Sequence, residues 1–253
     1  MTTKEFNTIN KLYHFTNFES ALKIIESKTL LFNLLKRMND INELYRPLVF
    51  QSGLLSDESE KMMTFVIYSH QQISLTRDHR GKKGFDIPAM WGHYADKGRG
   101  VCLIFDKNKL LKTLPRGHKK GYVKYIPADN FDSTVIINEN SIYNNQFSAV
   151  EYKEYFFKKT NDWNYEQEFR VLVKSDSSKR IPLDYKDSLI GAIIHNADDI
   201  KEGDTVRNSV NYRILKKHLS NVFVYASFFN ERNLSDSEGN QIWSNIESGR
   251  YSV

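Results

Sequence analysis

The spacing of apolar residues predicts short strands that alternate with amphipathic helices. Near the start, residues 11–15 have the aromatic and branched composition of a strand, and apolar residues recur at helical intervals over 17–28. Thr16 and Glu19 have the spacing of a capping box, which predicts that Thr16 caps this helix. His14 would therefore lie at the end of a strand and face the start of a helix.

The same patterns continue along the chain. Alternation and short apolar runs predict strands at residues 28–32, 72–76, 101–105, 122–126, 163–173, 181–183, 189–194 and 222–229. Helical spacing predicts helices at residues 41–70 with an interruption near 53–56, and at 86–96, 147–160 and 204–219. Without a repeat or a clear linker, we predict one domain over 1–253, with a core at about 11–229 and a loosely ordered polar tail at 230–253. The predicted fold class is α+β, with mixed, largely antiparallel sheets and flanking helices.

The segment W-N-Y-E-Q-E-F-R-V-L-V at residues 163–173 carries the most informative polar pattern. In one extended strand, Glu166, Glu168 and Arg170 would share a face, because successive side chains point to opposite sides. A solvated strand face explains this alternation without any function. Two aromatic residues directly before the acids favour the alternative, in which a carboxylate pair stabilises a cation.

An aromatic pair at helical spacing offers a second candidate wall of a site. Trp91 and Tyr94 lie three residues apart after Pro88, which suits the first turn of a helix. The two rings could stack on a planar ligand. They could equally fill the hydrophobic core.

Charge and composition narrow the candidate partners only slightly. The net charge is +5 and the sequence pI is about 9.0, which favours an anionic partner such as nucleic acid, although solubility alone accounts for so small an excess. The basic run at residues 77–84 suits a phosphate backbone but is equally typical of a solvated loop.

Several classes of protein are disfavoured by what the sequence lacks. Cys102 is the one cysteine, so we expect neither a disulfide nor a cysteine zinc site, and the seven histidines form no metal-ligand pair; we therefore predict no metal. There is no G-x-S-x-G motif. No apolar run has the length of a signal peptide or a membrane span, so we predict a cytoplasmic protein without membrane contact.

Four segments together resemble an uncharacterised bacterial domain family with a Y-H-Y-T start, a W-x-x-Y-x-x-x-x-x-G-V block and a W-x-Y-E-x-E-x-R strand. They are the Y-H-x-T of residues 13–16, the S-L-T of 74–76, the block from P-A-M-W-G-H-Y to G-V-C-L-I-F-D, and W-N-Y-E-Q-E-F-R. The resemblance covers residues 11 to 226. That family is in turn similar, more distantly, to ADP-ribosyltransferases, especially toxin-like enzymes that modify DNA.

The resemblance implies an NAD-dependent enzyme, with NAD as substrate, that acts on nucleic acid in a toxin or phage-defence setting. By this likeness Glu168 is the catalytic glutamate, and Glu166 is the upstream acid that orients the nucleophile. His14, with Thr16 beside it, would hydrogen-bond a ribose hydroxyl of NAD. His14 as a structural histidine satisfied by backbone is equally compatible with the sequence.

The remaining roles follow from the same likeness. Ser74 and Thr76 would support the catalytic glutamate, and Tyr94 or Trp91 would stack on the nicotinamide. Arg170 could hold Glu168 ionised, bind a phosphate or form a purely structural salt bridge. A non-catalytic module that binds a nucleotide or nucleic acid is the alternative. For the enzyme, residues from these distant segments should converge on one cleft.

Overall fold

The computed structural model describes residues 3–37, 46–50, 57–132, 134–138, 141, 147–175, 178–195, 209–220, 222–227, 234–235, 241–246 and 250–252. Its helices are α1 (Thr3–Thr8), α2 (Phe18–Ser27), α3 (Asp57–Ser69), α4 (Pro88–Tyr94), α5 (Lys107–Lys112), α6 (Ala149–Phe156) and α7 (Val210–His218). Short 3₁₀ helices lie at Leu35–Arg37, Asp96–Gly98, Ala128–Asn130, Asn161–Glu166 and Lys186–Ser188.

The strands form one large sheet and three small ones within the described residues. They are β1 (Lys11–Thr16), β2 (Thr29–Leu31), β3 (Asn33–Leu34), β4 (Leu48–Phe50), β5 (His70–Arg77), β6 (Val101–Asp106), β7 (Lys119–Tyr122), β8 (Lys124–Ile126), β9 (Val135–Ile137), β10 (Lys158–Thr160), β11 (Glu168–Lys174), β12 (Pro182–Asp184), β13 (Leu189–Ile194), β14 (Phe223–Ser227), β15 (Leu234–Ser235), β16 (Gln241–Ile246) and β17 (Arg250–Ser252). The large sheet has the order β17-β16-β15-β14-β13-β6-β1-β5-β11-β7, with β3 also paired to β5. Its pairs are antiparallel except β13 with β14, so the mixed α+β class with mostly antiparallel sheets is confirmed.

The centre of this sheet contains a gap along one edge of β5. Strand β11 pairs with the other edge of β5 over its whole length, from Glu168 opposite Thr76 to Lys174 opposite His70. On the gapped edge, β1 pairs with the end of β5, at Arg77 and Thr76, and β3 pairs with its beginning, at Gln72 and Gln71. Residues 73–75 therefore face an opening between β1 and β3.

Different helices cover the two faces of the sheet, and this follows from the alternation of side chains along each strand. Leu12, Ile73 and Leu75 point to the face where α2 and α7 pack, and they belong to the largest hydrophobic cluster. Tyr13 and Phe15, on the opposite face, pack against α4 and its neighbours. We call these the α2 face and the α4 face.

Gly100 allows α4 and the turn after it to approach the end of β1. A Cβ atom at this position would lie 2.2 Å from the Thr16 carbonyl oxygen and 2.9 Å from the Ala95 backbone. Any side chain larger than hydrogen would push these segments apart. The turn thus holds α4 close to the opening in the sheet.

Two predicted boundaries near the site are wrong. Thr16 pairs with Val101 as the last residue of β1, and the α2 cap is Asn17, whose Oδ1 accepts a 2.7 Å hydrogen bond from the Ser20 amide. The strand predicted over 163–173 begins at Glu168, because residues 161–166 form a 3₁₀ helix and Gln167 has a left-handed φ of 45°.

The helix predicted over 147–160 ends at Phe156 and is followed by β10, which pairs in parallel with β8. Residues 48–50, predicted as helix, form β4 because they pair with β9. The tail, predicted to be loosely ordered, contains β15 to β17 among its described residues. Parts of the predicted segments at 41–70, 204–219 and 222–229 lie outside the described residues. None of the helices in the described ranges is long and apolar enough to cross a membrane.

Candidate functional site

A cavity of about 690 Å³ occupies the opening between β1 and β3. Residues from both faces of the sheet line it, because the opening connects the two faces. On the α4 face its walls include Tyr94, Glu166 and Glu168, and on the α2 face they include His14 and Lys23. The size is typical of a small-molecule site.

Glu168 lies at the start of β11 and is almost completely enclosed by polar partners. Its side chain is 2% exposed, and Arg170 donates to both of its carboxylate oxygens, from Nε at 2.7 Å and from a terminal guanidinium nitrogen at 2.8 Å. The Ser74 hydroxyl also donates to this carboxylate, and Ser74 accepts from the Gln72 amide at 3.2 Å. The carboxylate is therefore fixed in position by a bidentate pair and a neighbouring strand.

Lys159, on β10, connects Glu168 with the second acid. Its Nζ lies 2.7 Å from Glu166 Oε2 and 3.2 Å from Glu168 Oε2, and its side chain is 5% exposed. The ammonium also lies 5.3 Å from the centre of the Trp163 ring. Lys159 thus holds the two carboxylates close together, which like charges alone would oppose.

The environments of the two carboxylates shift their pKa values in opposite directions. Burial by itself would raise the pKa of Glu168, but the charges of Arg170 and Lys159, with hydrogen bonds from Arg170 and Ser74, hold it well below its usual range. For Glu166, burial and the neighbouring Glu168 charge raise the pKa, although Lys159 and a hydrogen bond from Tyr94 oppose this shift. The site therefore pairs a firmly ionised carboxylate with one that takes up a proton more readily.

Tyr94 attaches α4 to this arrangement. Its hydroxyl donates a hydrogen bond of 2.5 Å to Glu166 Oε1, and its ring lines the cavity. Burial, together with the Glu166 charge, raises the pKa of the Tyr94 hydroxyl well above its usual range, so the group remains a donor. The hydroxyl of a further tyrosine, Tyr125, accepts a 2.9 Å hydrogen bond from the backbone amide of Glu168. We call Glu166, Glu168, Lys159 and Tyr94 the acidic wall.

His14 lies where β1 and β5 separate. It hydrogen-bonds the backbone of Ser74, and burial lowers its pKa to about 4 against that bond. The imidazole is therefore neutral at pH 7 and acts through hydrogen bonds. At the opening, where β5 has no neighbouring strand on this edge, the His14 side chain hydrogen-bonds the backbone of β5 instead.

Basic side chains line the opposite end of the cavity. We call Lys23, Arg37 and Arg180 the basic wall; all three are exposed, and Lys23 is ion-paired with Glu19. The loop that carries Arg180 packs beside Gln71, whose amide contacts the Lys179 carbonyl and the Ile181 amide, each at 2.9 Å. Gln71 precedes Thr76, the partner of Glu168, by five strand positions, so the two walls are separated by about 17 Å along β5.

Most residues predicted from sequence meet at this cavity. His14, Thr16, Ser74, Thr76, Tyr94, Glu166 and Glu168 all line it. Arg170 lies behind Glu168, 1% exposed, and holds that carboxylate from the side away from the cavity. Trp91 lies elsewhere, in the core of the α4 face, where its Nε1 donates to the Phe85 carbonyl at 2.7 Å and its ring packs edge-on against Phe15.

Sequence reasoning missed Lys159 and the basic wall. Lys159 follows Lys158 at the end of a segment with helical spacing, where a lysine is expected in water, so no local signal distinguished it. Arg37 ends the 3₁₀ helix that follows β3, and Arg180 lies in the loop before β12; the pairing of these strands brings both to the cavity. The basic run at 77–84, in contrast, turns away as a hairpin in which Asp78 accepts from the Tyr13 hydroxyl and the Gly84 amide, both at 2.8 Å.

Part of this site lies in a segment that matches a known family model. Residues 90–171 match the family described as protein of unknown function (DUF2971). The match contains Tyr94, Lys159, Glu166, Glu168 and Arg170, and it supports assignment to an uncharacterised domain family. No curated protein and no solved structure is significantly similar to the chain.

Proposed function

We propose that this protein binds NAD in the cavity and transfers its ADP-ribosyl group to an acceptor. The observation that carries the proposal is the pair of buried carboxylates with opposite pKa shifts at one end of a cavity that also contains His14 and Ser74. The likeness of the W-N-Y-E-Q-E-F-R segment to ADP-ribosyltransferases supports the same conclusion. In this proposal the sheet around β5 is the core of an ADP-ribosyltransferase-like fold.

The charge distribution of the cavity suits the two charged parts of NAD. Its nicotinamide ring is cationic and its diphosphate is anionic. The acidic wall would receive the nicotinamide ribose, and Arg37 and Arg180 of the basic wall would hold the diphosphate. His14 would bond a ribose hydroxyl, and Tyr94 supplies an aromatic ring on the nicotinamide side.

Glu168 would stabilise positive charge on the ribose. When the bond between ribose C1′ and the nicotinamide nitrogen breaks, the electron pair leaves with nicotinamide and an oxocarbenium ion develops. A fixed carboxylate that bonds the neighbouring 2′-hydroxyl favours this charge in the transition state more than in the ground state. Arg170 and Ser74 would keep Glu168 ionised and oriented, so they act as positioning residues.

Glu166 would handle the proton of the acceptor. Its raised pKa makes it a better base than Glu168 once it is ionised. The acceptor nucleophile would attack C1′ and release its proton to Glu166. Lys159 and Tyr94, which each bond one oxygen of Glu166, would set its orientation.

One observation favours a second function, a binding module without catalysis. Lys159 and Arg170 together balance the charges of Glu166 and Glu168 when both acids are ionised. A neutral cluster stabilises an oxocarbenium ion less than an unpaired carboxylate does. The same cavity would then bind a nucleotide or nucleic acid and leave it unchanged.

The test is release of nicotinamide by the purified chain in the presence of NAD and DNA, RNA or protein acceptors. We expect Glu168→Gln to lower the rate on the order of 10²- to 10³-fold, the usual loss when one transition-state electrostatic contact is removed. Glu154→Gln, which removes an acid paired with Lys158 on the surface of α6, should keep the wild-type rate.

Two outcomes would contradict this proposal. If the folded wild-type chain binds NAD by calorimetry but releases no nicotinamide with any acceptor, the binding module is the better description. If Glu168→Gln retains its thermal unfolding transition and the full wild-type rate, Glu168 is not the catalytic group.

A further inference from the structure

The positive charge of this protein is concentrated in one segment. Residues 107–128 contain seven Lys and Arg and no Asp or Glu, whereas the whole chain has a net charge of +5. The remainder of the chain is therefore slightly acidic. Such a separation indicates a local anion-binding surface rather than a general contribution to solubility.

The fold places this segment beside the candidate catalytic strand. It forms α5, β7 and β8, and β7 is the last strand in the order of the large sheet within the described residues. Tyr122 of β7 pairs with Phe169, and the Val123 amide donates to the Glu168 carbonyl at 3.1 Å. Tyr122 and Val123 of the basic segment therefore contact the backbone of β11 at Glu168 and at the residue after it.

The cations of this surface have no acidic partners. Six of the seven are exposed, and none of the seven forms an ion pair within the described ranges; they are Lys107, Lys109, Lys112, Arg116, Lys119, Lys120 and Lys124. In contrast, Lys23, Lys158 and Lys159 elsewhere are all ion-paired. Exposed cations without an acidic partner in the protein remain available to an external anion, and salt screens this attraction.

An exposed aromatic ring lies among these cations. Tyr122 is 48% exposed, the Arg77 guanidinium carbon lies 4.2 Å from its ring centre, and Lys107 Nζ lies 4.7 Å from it. The Nε of Arg77 is buried without a hydrogen-bond partner among the described residues. An exposed aromatic ring with a guanidinium group over it and lysines beside it is a platform for a base followed by phosphates.

We propose that the edge formed by α5, β7 and Arg77 binds single-stranded nucleic acid. The lysines would follow the phosphates, and Tyr122 with Arg77 would stack on an unpaired base, which a duplex does not offer. This inference deepens the proposed function, because it assigns nucleic acid as the acceptor and the edge of β7 as the surface that presents it to Glu168. The binding itself requires neither NAD nor catalysis.

The experiment measures binding of the full chain to a fluorescent single-stranded oligonucleotide without NAD, over a series of salt concentrations. Lys119→Gln combined with Lys120→Gln should lower the slope of log K against log salt by about 1.4 and the affinity by about 25-fold at about 0.1 M salt, because each phosphate contact on a single strand contributes about 0.7 to the slope. Arg213→Gln combined with Lys217→Gln removes two exposed cations of α7 and should leave both quantities unchanged.

Tyr122→Leu tests the stacking separately. It keeps an apolar side chain against Phe169, so we expect unchanged thermal unfolding, an unchanged salt slope and about tenfold weaker binding to single strands. A duplex of the same sequence should bind the wild type more weakly than the single strand does. Its affinity should be the same for the wild type and for Tyr122→Leu.

Three results would overturn the inference. They are no oligonucleotide binding up to about 100 µM protein at low salt, equal losses in the β7 and α7 double variants, or binding to phosphatidylserine vesicles but not to oligonucleotides. Because nicotinamide release is measured separately, failure of nucleic-acid binding with intact release would contradict only this surface. Failure of release with intact binding would contradict only the catalytic proposal.

Discussion

The acidic and basic walls of the cavity hold their charges in different ways. At the acidic wall, Glu168 and Lys159 are almost fully buried against partners, and Arg170 behind them is 1% exposed. At the basic wall, Arg37 and Arg180 are exposed to solvent. The acidic wall lies on the α4 face of the sheet and Lys23 of the basic wall lies on the α2 face, so the cavity joins the two walls through the opening in the sheet.

This difference separates two tasks within one cavity. Buried charges have already lost their water, so their geometry is fixed before a ligand arrives, and no reorganisation is needed during a reaction. Exposed arginines remain hydrated and mobile, so they can attract and hold an anion but impose little geometry. We therefore expect substitutions at the acidic wall to affect stability and rate, and those at the basic wall to affect binding alone.

The largest effect is expected at the buried pair. Arg170→Leu would leave the Glu168 carboxylate buried next to Lys159 without its bidentate partner. We expect the free energy of unfolding to fall by about 3–5 kcal/mol, the usual cost of breaking a buried pair from one side. Urea unfolding at pH 7 measures it.

Two further variants sharpen this prediction. Arg99→Leu breaks an exposed pair with Asp96, at 3.0 Å, and should cost less than about 1 kcal/mol. Glu168→Leu combined with Arg170→Leu removes both buried charges and should be more stable than Arg170→Leu alone. Equal losses for the buried and exposed arginines would show that the acidic wall does not depend on pairing.

The sequence predicted individual strands of this sheet better than it predicted their arrangement. The runs at 72–76, 101–105 and 189–194 form strands as expected, because buried apolar runs bounded by turns have few other solutions. The gap along β5 could not be predicted. It exists because β1 and β3, which are separated by α2 and β2, share one edge of β5 without meeting.

The candidate site shows the same limit. Glu168 and Arg170 share a strand face as alternation predicts, but Glu166 reaches the same place through a turn at Gln167. Asn164 contributes to that turn, since its carbonyl and side-chain oxygens accept from the Gln167 side chain at 2.6 Å and 2.7 Å. Such a turn depends on contacts between side chains and backbone, which periodicity does not contain.

An intermediate effect is expected from His14, which lies between the walls. Its folded pKa of about 4 is below the ordinary value of 6.5, so the unfolded chain takes up a proton in this range and the folded chain does not. Stability should therefore decrease as the pH falls from about 6.5 to about 4, by up to about 3 kcal/mol.

His14→Gln isolates this contribution. Its free energy of unfolding should change less than that of the wild type between pH 7 and pH 4.5, as measured by urea unfolding. Glu166 acts with the opposite sign, since its raised pKa lets the folded state bind a proton first and gain stability as the pH falls. Glu166 is present in both proteins and cancels in the difference. Identical pH dependence of the two proteins would mean that His14 is not held neutral by burial.

The smallest effect is expected at the basic wall, and it is the most specific. Arg37→Gln combined with Arg180→Gln should weaken NAD binding about tenfold, or about 1.4 kcal/mol, and should reduce its dependence on salt, because two exposed contacts to the diphosphate are lost. The free energy of unfolding should change by less than about 0.5 kcal/mol for each substitution, since both side chains are exposed.

The rate of nicotinamide release at saturating NAD should stay at the wild-type value, because neither arginine contacts the acidic wall. The α7 double variant Arg213→Gln with Lys217→Gln is the control for lost charge. A lower saturated rate in the Arg37 and Arg180 variant would mean that the basic wall shapes the reacting geometry as well, and the division between the two walls would fail.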